Sequence, residues 1–388
     1  MVFGRRTKPA SRAESRANSA EPTAVPAALS VAAAFSWRLL VILGLIAVLI
    51  YLIITLKYIV IPFLVAVLIG ALLVPLVQFL ERHRWPKWLA VTATLIGFFA
   101  VVSGLVVVVV SQVRLGLPSL QQQSIAAFET FRTFLSDSPL QVTDEDIDSL
   151  LAQITGVIQR DSQALVSGVL SVGSTAGHVL AGTLLTLFAT IFVLIDGKRI
   201  WAWTVRLFPR RARSAVDGSG QAGWITLTTF VKVQIFVAAV DAVGIGLGAW
   251  ILGLFYGGFP LVIPIAVAVF LGSFIPVVGA LITGVLAIFI ALVFLGPIPA
   301  VIMLGIVLLV QQLEGHILQP LIMGTAVKVH PLAVVFAVAA GSFIAGIAGA
   351  LFAVPLVAVV NVMTRYIASG DWRSNVRPTI SDVLGDGK

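Results

Sequence analysis

Two acidic side chains, Asp241 and Glu314, stand inside apolar runs of a chain that otherwise keeps its charge outside such runs. A carboxylate at membrane depth is costly, and where one persists it usually marks an ion or substrate path. Glu314 belongs to a polar cluster: Gln311, Gln312 and His316 lie within about one helical turn of it, and Gln319 and Pro320 follow. In the functional reading the Glu314 carboxylate binds an ion, and Gln311, Gln312 and Gln319 offer it neutral oxygens. The bland reading solvates the cluster at the inner face: counted from Ile298, Glu314 lies roughly 24 Å along its helix, near the edge of a core about 30 Å thick. Asp241 lies deeper, near the middle of its run, and the nearest basic residue of that run, Lys232, is more than two helical turns upstream. It is either a protonatable group facing the protein interior or a neutral structural carboxyl hydrogen-bonded to a neighbouring helix.

The elements that would position these acids include two interrupted segments. PLVIPIAVAVFLGSFIPVVGALITGVLA at 260–287 resembles PLAVVFAVAAGSFIAGIAGALFAVPLVA at 331–358. Each reads Pro-Leu, an apolar stretch, Gly-Ser-Phe-Ile, a break carrying Gly or Pro, then Gly-Ala-Leu. Breaks are expected at 273–279, through Gly272, Ser273, Pro276 and Gly279, and at 342–349, through Gly341, Ser342, Gly346 and Gly349, with Pro355 beyond. Hydrocarbon cannot satisfy the backbone groups a break frees, so a break is buried in protein or lines a wet cavity. Paired interrupted segments are a sequence pointer to a transporter binding site.

Composition places the chain in a bilayer. Its 388 residues are 59% hydrophobic and 11% charged, against about a quarter charged in soluble domains. Apolar runs at 39–56, 59–80, 88–110, 180–195, 233–255 and through most of 261–366 read as spans. The fold class is therefore all-α, a polytopic helical membrane protein; barrel strands would alternate apolar and polar residues. The net charge of +8 is distributed as topology rather than as a nucleic-acid surface. Basic residues gather in the N-terminal tail, at 81–87 and at 198–232, whereas the polar stretch 111–163 is rich in Asp and Glu. Lys and Arg mark cytoplasmic loops. With no cysteine in the chain, disulfides and thiolate metal sites are excluded.

These signals give seven regions: a disordered basic tail at 1–37, three spans at 38–111, an acidic, mostly helical extracytoplasmic segment at 112–163, and a fourth span at 164–195. A basic amphipathic cytoplasmic segment at 196–229 follows, then a core at 230–366 and a cytoplasmic tail at 367–388. Trp201 and Trp203 among Lys198, Arg199 and Arg206 suit an interfacial anchor. VDGSGQAG at 216–223 reads as a flexible link. Gly244 and Gly248 suit close helix packing better than dinucleotide binding, since no strand precedes them. The two interrupted units are either re-entrant hairpins or pairs of full spans. His178, His316 and His330 form no cluster, and no nucleophile elbow, zinc-protease or phosphate-loop motif occurs. No cofactor or metal is expected, and the chain does not read as an enzyme.

The segments GSFIPVVGALITG, QQLEGHILQPLIMG and VHPLAVVFAVAAGSFIAGIAGALFAVPLVAVV, with IDG after the fourth span, resemble the autoinducer-2 exporter family of bacterial membrane transporters. The motif residues are Gln311, Glu314, Pro320, Gly324, Pro331, Leu332, Gly346, Gly349, Pro355 and Leu356; Gly315-His316 replaces the family's Asn after the motif Glu. The resemblance implies about eight membrane segments, cytoplasmic termini in a bacterial inner membrane, and homo-oligomers, pentamers included. It further implies export of the quorum-sensing signal autoinducer-2 in some members and sodium/proton antiport in others. The expected function is gradient-driven secondary transport of a small organic solute or ion across the bilayer. An antiporter is the alternative within the class, and a non-transporting scaffold acting through the acidic segment is the alternative outside it.

Overall fold

The computed structural model describes residues 27–136, 172–275, 278–316, 331–373, 378–380 and 382. Among these there is no strand. The helices are α1 (Ala27–Thr55), α2 (Lys57–Arg82), α3 (Lys87–Ser136), α4 (Val172–Arg206), α5 (Arg213–Tyr256), α6 (Val262–Gly272), α7 (Val278–Leu295), α8 (Pro297–Leu313) and α9 (Pro331–Ser369). A short 3-10 turn, Asp371–Arg373, follows. Seven of the described helices, all but α6 and α7, are long and apolar enough to cross a membrane. The protein is the polytopic helical membrane protein that composition predicts.

The chain divides into two compact units, Met1–Leu56 and Lys57–Lys388. The first contains α1, which starts at Ala27, ahead of the span start expected near residue 38. In the second, α2, α3 and α4 pack through Leu73, Val77, Ala90, Val91, Leu95 and Leu194. Lys87 donates to the Ile195 carbonyl, tying the start of α3 to α4. The helix α3 continues to Ser136; the remainder of the acidic segment, 137–163, lies outside the described residues.

The organising element is α5. Its 44 residues make a rod of about 66 Å, twice the thickness of a hydrocarbon core. The stretch 216–223, expected as a flexible link, is helical and packed. Its glycines permit close approach: a Cβ on Gly218 would stand 2.7 Å from the Tyr366 ring, one on Gly223 would press on Val359 and Met363, and one on Gly220 would enter the Trp201 indole. Glycine costs a helix about 1 kcal/mol in isolation, but tertiary packing decides most helices. Trp201 Nε1 donates to Asp217 Oδ1 at 2.8 Å and Gln221 Nε2 donates to Asp217 Oδ2 at 3.1 Å, fixing α4 to the start of α5.

Both interrupted units fold as hairpins. In a straight helix Gly341 and Ala353 would be about 18 Å apart, yet a Cβ on Gly341 would lie 3.2 Å from the Ala353 Cβ. The chain reverses at Ala345 (φ −139°, ψ 21°) and Gly346 (φ 61°, ψ −142°), the second a conformation only glycine adopts without strain. Pro355, expected at a break, instead sits buried inside the second arm, which stays helical through it. In the first unit α6 has 11 residues, about 17 Å, too short to span. It ends in the turn Ser273–Ile275, and α7 returns.

The hairpins approach the middle of α5 from opposite ends. The α6–α7 hairpin opens beside the C-terminal half of α5, where Gly246 faces Ala266 and Gly253 faces Phe259, and its tip reaches back to Gln234 and Asp241. The α9 hairpin opens beside the N-terminal end, through Tyr366, Met363 and Val359, and packs Val338, Ala350 and Ala353 on Phe230 and Val231 nearer its turn. Ile275 of the first tip joins that same cluster. Inverted repeats arrange hairpins in this opposed way.

Candidate functional site

The site is built where the first tip meets α5. Apolar packing of Ile245, Ala249, Ile265, Val269, Ala291 and Met303 clamps α5, α6, α7 and α8 together. Gly272 and Gly279 lie in contact across the hairpin neck, so a Cβ on Gly279 would strike the Gly272 backbone, and one on Gly272 would strike the Thr283 side chain and press on the Gly279 carbonyl. Gly341 and Gly349 repeat this contact in the second hairpin. The tip can be this narrow only because both necks lack side chains.

At the first tip, Ser273 Oγ stands 3.0 Å from Asp241 Oδ2 and 2.8 Å from the Val269 carbonyl oxygen. Gln234 Nε2 donates to the Ser273 carbonyl at 2.6 Å, and Thr283 Oγ1 donates to the Gly279 carbonyl at 2.8 Å. All four polar residues are buried, with Asp241 only 5% exposed. Asp241 Oδ1 has no hydrogen-bond partner among the described residues. A buried polar oxygen without a partner is costly, and an ionised one far more so.

Glu314 follows the last residue of α8 and begins a wider turn, Glu314–His316. It and Gln311 are half-buried, whereas Gln312 and His316 are exposed. Gln319 and Pro276 lie outside the described residues. The helices α5 and α8 run antiparallel, since Gly248 receives Ile306 and Gly244 receives Val310. Continuing that register by one turn sets Glu314 at the level of Asp241. The two acids that sequence singled out thus belong to one level of the fold. Ser342, the counterpart of Ser273 in the second hairpin, donates to Val338 within its own arm at 2.8 Å.

Gln234, Thr283 and the pairing of Ser273 with Asp241 were not foreseen. One signal was available. Ser219, Thr226, Gln234 and Asp241 are buried polar residues recurring every second turn along one side of α5. They form a polar line from the N-terminal end of the helix to the carboxyl.

A multi-pass helical protein with opposed hairpins converging on a buried acid has the architecture of a membrane transporter. Residues 39–369 match the model described as AI-2E family transporter, and the chain belongs to that family. It is 38% identical over 352 residues to a Mycobacterium tuberculosis protein named as a candidate transport protein, covering 91% of this chain and 95% of the relative. It is 28% identical over 325 residues to Bacillus subtilis YrrI, of similar name, covering 79% of this chain and 86% of the relative. The AI-2 transport protein TqsA of Escherichia coli is 24% identical over 318 residues, covering 80% of this chain and 87% of TqsA. The protein is a bacterial multi-pass membrane protein of a transporter family rather than an enzyme family.

Proposed function

We propose that this protein is a gradient-driven secondary transporter that exports a small organic solute of the autoinducer-2 kind. One observation carries the reading. A buried acid, Asp241, is held against the tip of a re-entrant hairpin on the helix toward which a second hairpin converges from the other end. Such an acid is expensive unless it handles an ion or solute. Glu314, at the same level by helix register, shares the coupling ion, with Gln311, Gln312 and Gln319 as the candidate neutral ligands. The breaks around Gly272–Ser273–Gly279 and Gly341–Ser342–Gly346–Gly349 form the gates. The name of the Escherichia coli relative supports the signal as cargo. Sodium/proton antiport is the second reading, supported by the two acids at one level of the fold. Both termini are cytoplasmic in this reading, and the chain works as a homo-oligomer.

The test is reconstitution into proteoliposomes with imposed proton and sodium gradients, screening furanone-type signals and simple cations together. Gradient-dependent accumulation of a solute supports the proposal. Cation exchange without solute movement favours the antiporter. Flux indifferent to every gradient overturns both.

A further inference from the structure

Ser273 has one hydroxyl proton and two oxygens within hydrogen-bond range: Val269 O at 2.8 Å and Asp241 Oδ2 at 3.0 Å. A hydroxyl donates once and accepts elsewhere. Both contacts are full two-centre hydrogen bonds at the same time only if Asp241 supplies the second proton, donating Oδ2–H to Ser273 Oγ while Ser273 donates to Val269; otherwise the one proton is shared between two acceptors. The other carboxyl oxygen agrees with this count. Oδ1 is buried and has no partner among the described residues, which a carbonyl oxygen tolerates far better than half of a carboxylate. Among the described residues, the charges that could alter this are few. The α6–α7 hairpin carries no ionisable side chain, α9 has none before Arg365, α2 has only Lys57, Tyr58, Glu81 and Arg82 at its ends, and α3 none between Lys87 and Arg114. On α5, Lys232 is exposed, and α8 brings only Glu314 at the Asp241 level.

We propose that the docked hairpin tip holds Asp241 as a neutral acid, that the coupling ion is a proton, and that losing it frees the tip from α5. Ser273 is the positioning residue that carries the change: deprotonation turns its hydroxyl to the carboxylate and strands the charge on Oδ1. Separation of the tip then admits water or solute to the carboxylate. Gln234 of α5, bonded to the Ser273 carbonyl at 2.6 Å, holds the backbone of the tip in the docked state and lets go when the tip parts. The word coupling rests on the transport reading; the protonation state and the tip motion do not.

Two measurements on the full reconstituted chain test this. Infrared difference spectra should show a protonated carboxylic-acid carbonyl band in the wild type that is absent in Asp241→Asn and unaltered by sodium at fixed pH. The chain has no cysteine, so Phe274→Cys gives a single thiol at the tip. Its labelling rate, divided by that of Phe274→Cys/Asp241→Asn to cancel thiol chemistry, should rise with pH as the band fades. The rise should approach about tenfold per pH unit, the limit for one proton. Absence of the band, its removal by sodium, or a labelling ratio flat with pH would each overturn the proposal. Failure of the transport reading would leave both signals in place, so the two failures are distinguishable.

Discussion

The narrow hairpin necks make the sharpest structural prediction. In Gly279→Ala the new Cβ would stand 3.0 Å from the Gly272 Cα and closer still to the Gly272 carbonyl. In Gly349→Ala it would stand 2.6 Å from the Gly341 carbonyl carbon and closer to its oxygen. Both obstacles are main chain, which cannot swing aside as a long side chain does. Overpacking costs about 1–3 kcal/mol, and backbone against backbone puts these variants near 3 kcal/mol. That shifts the balance of docked and parted arms by roughly a hundredfold. Gly305→Ala is the control: nothing lies within 4 Å of its Cβ, and alanine relieves a helix of about 1 kcal/mol. Thermal unfolding of the detergent-purified variants should show Gly279→Ala and Gly349→Ala several degrees below wild type and Gly305→Ala at or above it. Three indistinguishable melting curves would refute the neck contacts.

Gly346→Ala should destabilise by about 1–3 kcal/mol, because φ 61° with ψ −142° is closed to an alanine; an unchanged melting temperature would contradict the reversal at that residue. Gln234→Leu removes the donor to the buried Ser273 carbonyl and should cost about 1–3 kcal/mol, read as faster labelling of a tip thiol. Glu314→Gln, with the same shape and no titratable proton, should abolish gradient-dependent flux while leaving assembly intact, and undiminished flux would remove Glu314 from the coupling role.

The spans and both breaks were legible because their signals are local: long apolar runs, and Gly-Ser-Phe-Ile followed by Gly-Ala-Leu. The start of α5 was not. Gly218, Gly220 and Gly223 read as a link because glycine weakens an isolated helix, whereas here each makes room for Tyr366, Trp201 or Met363 from another element. Pro355 misled in the same way, since the arm around it is held by packing of Phe352, Ala353 and Val354 rather than by local propensity. Asp241 was visible as an anomaly, but its partner Ser273 lies 32 residues away. Only the α6–α7 hairpin makes them neighbours. Gln234 bonds a carbonyl 39 residues distant, and its sole trace in sequence is its two-turn spacing from Asp241.

The account depends on the carboxyl of Asp241 linking ion movement to hairpin movement. Its most direct test is paired flux measurement on Asp241→Asn in proteoliposomes: accumulation driven by an imposed proton gradient, and exchange of solute at equal concentrations without one. The account predicts that both are lost, because a permanently neutral side chain keeps the tip docked on α5 and closed to solute. Gradient-driven accumulation at the wild-type rate in a correctly folded Asp241→Asn protein would contradict it.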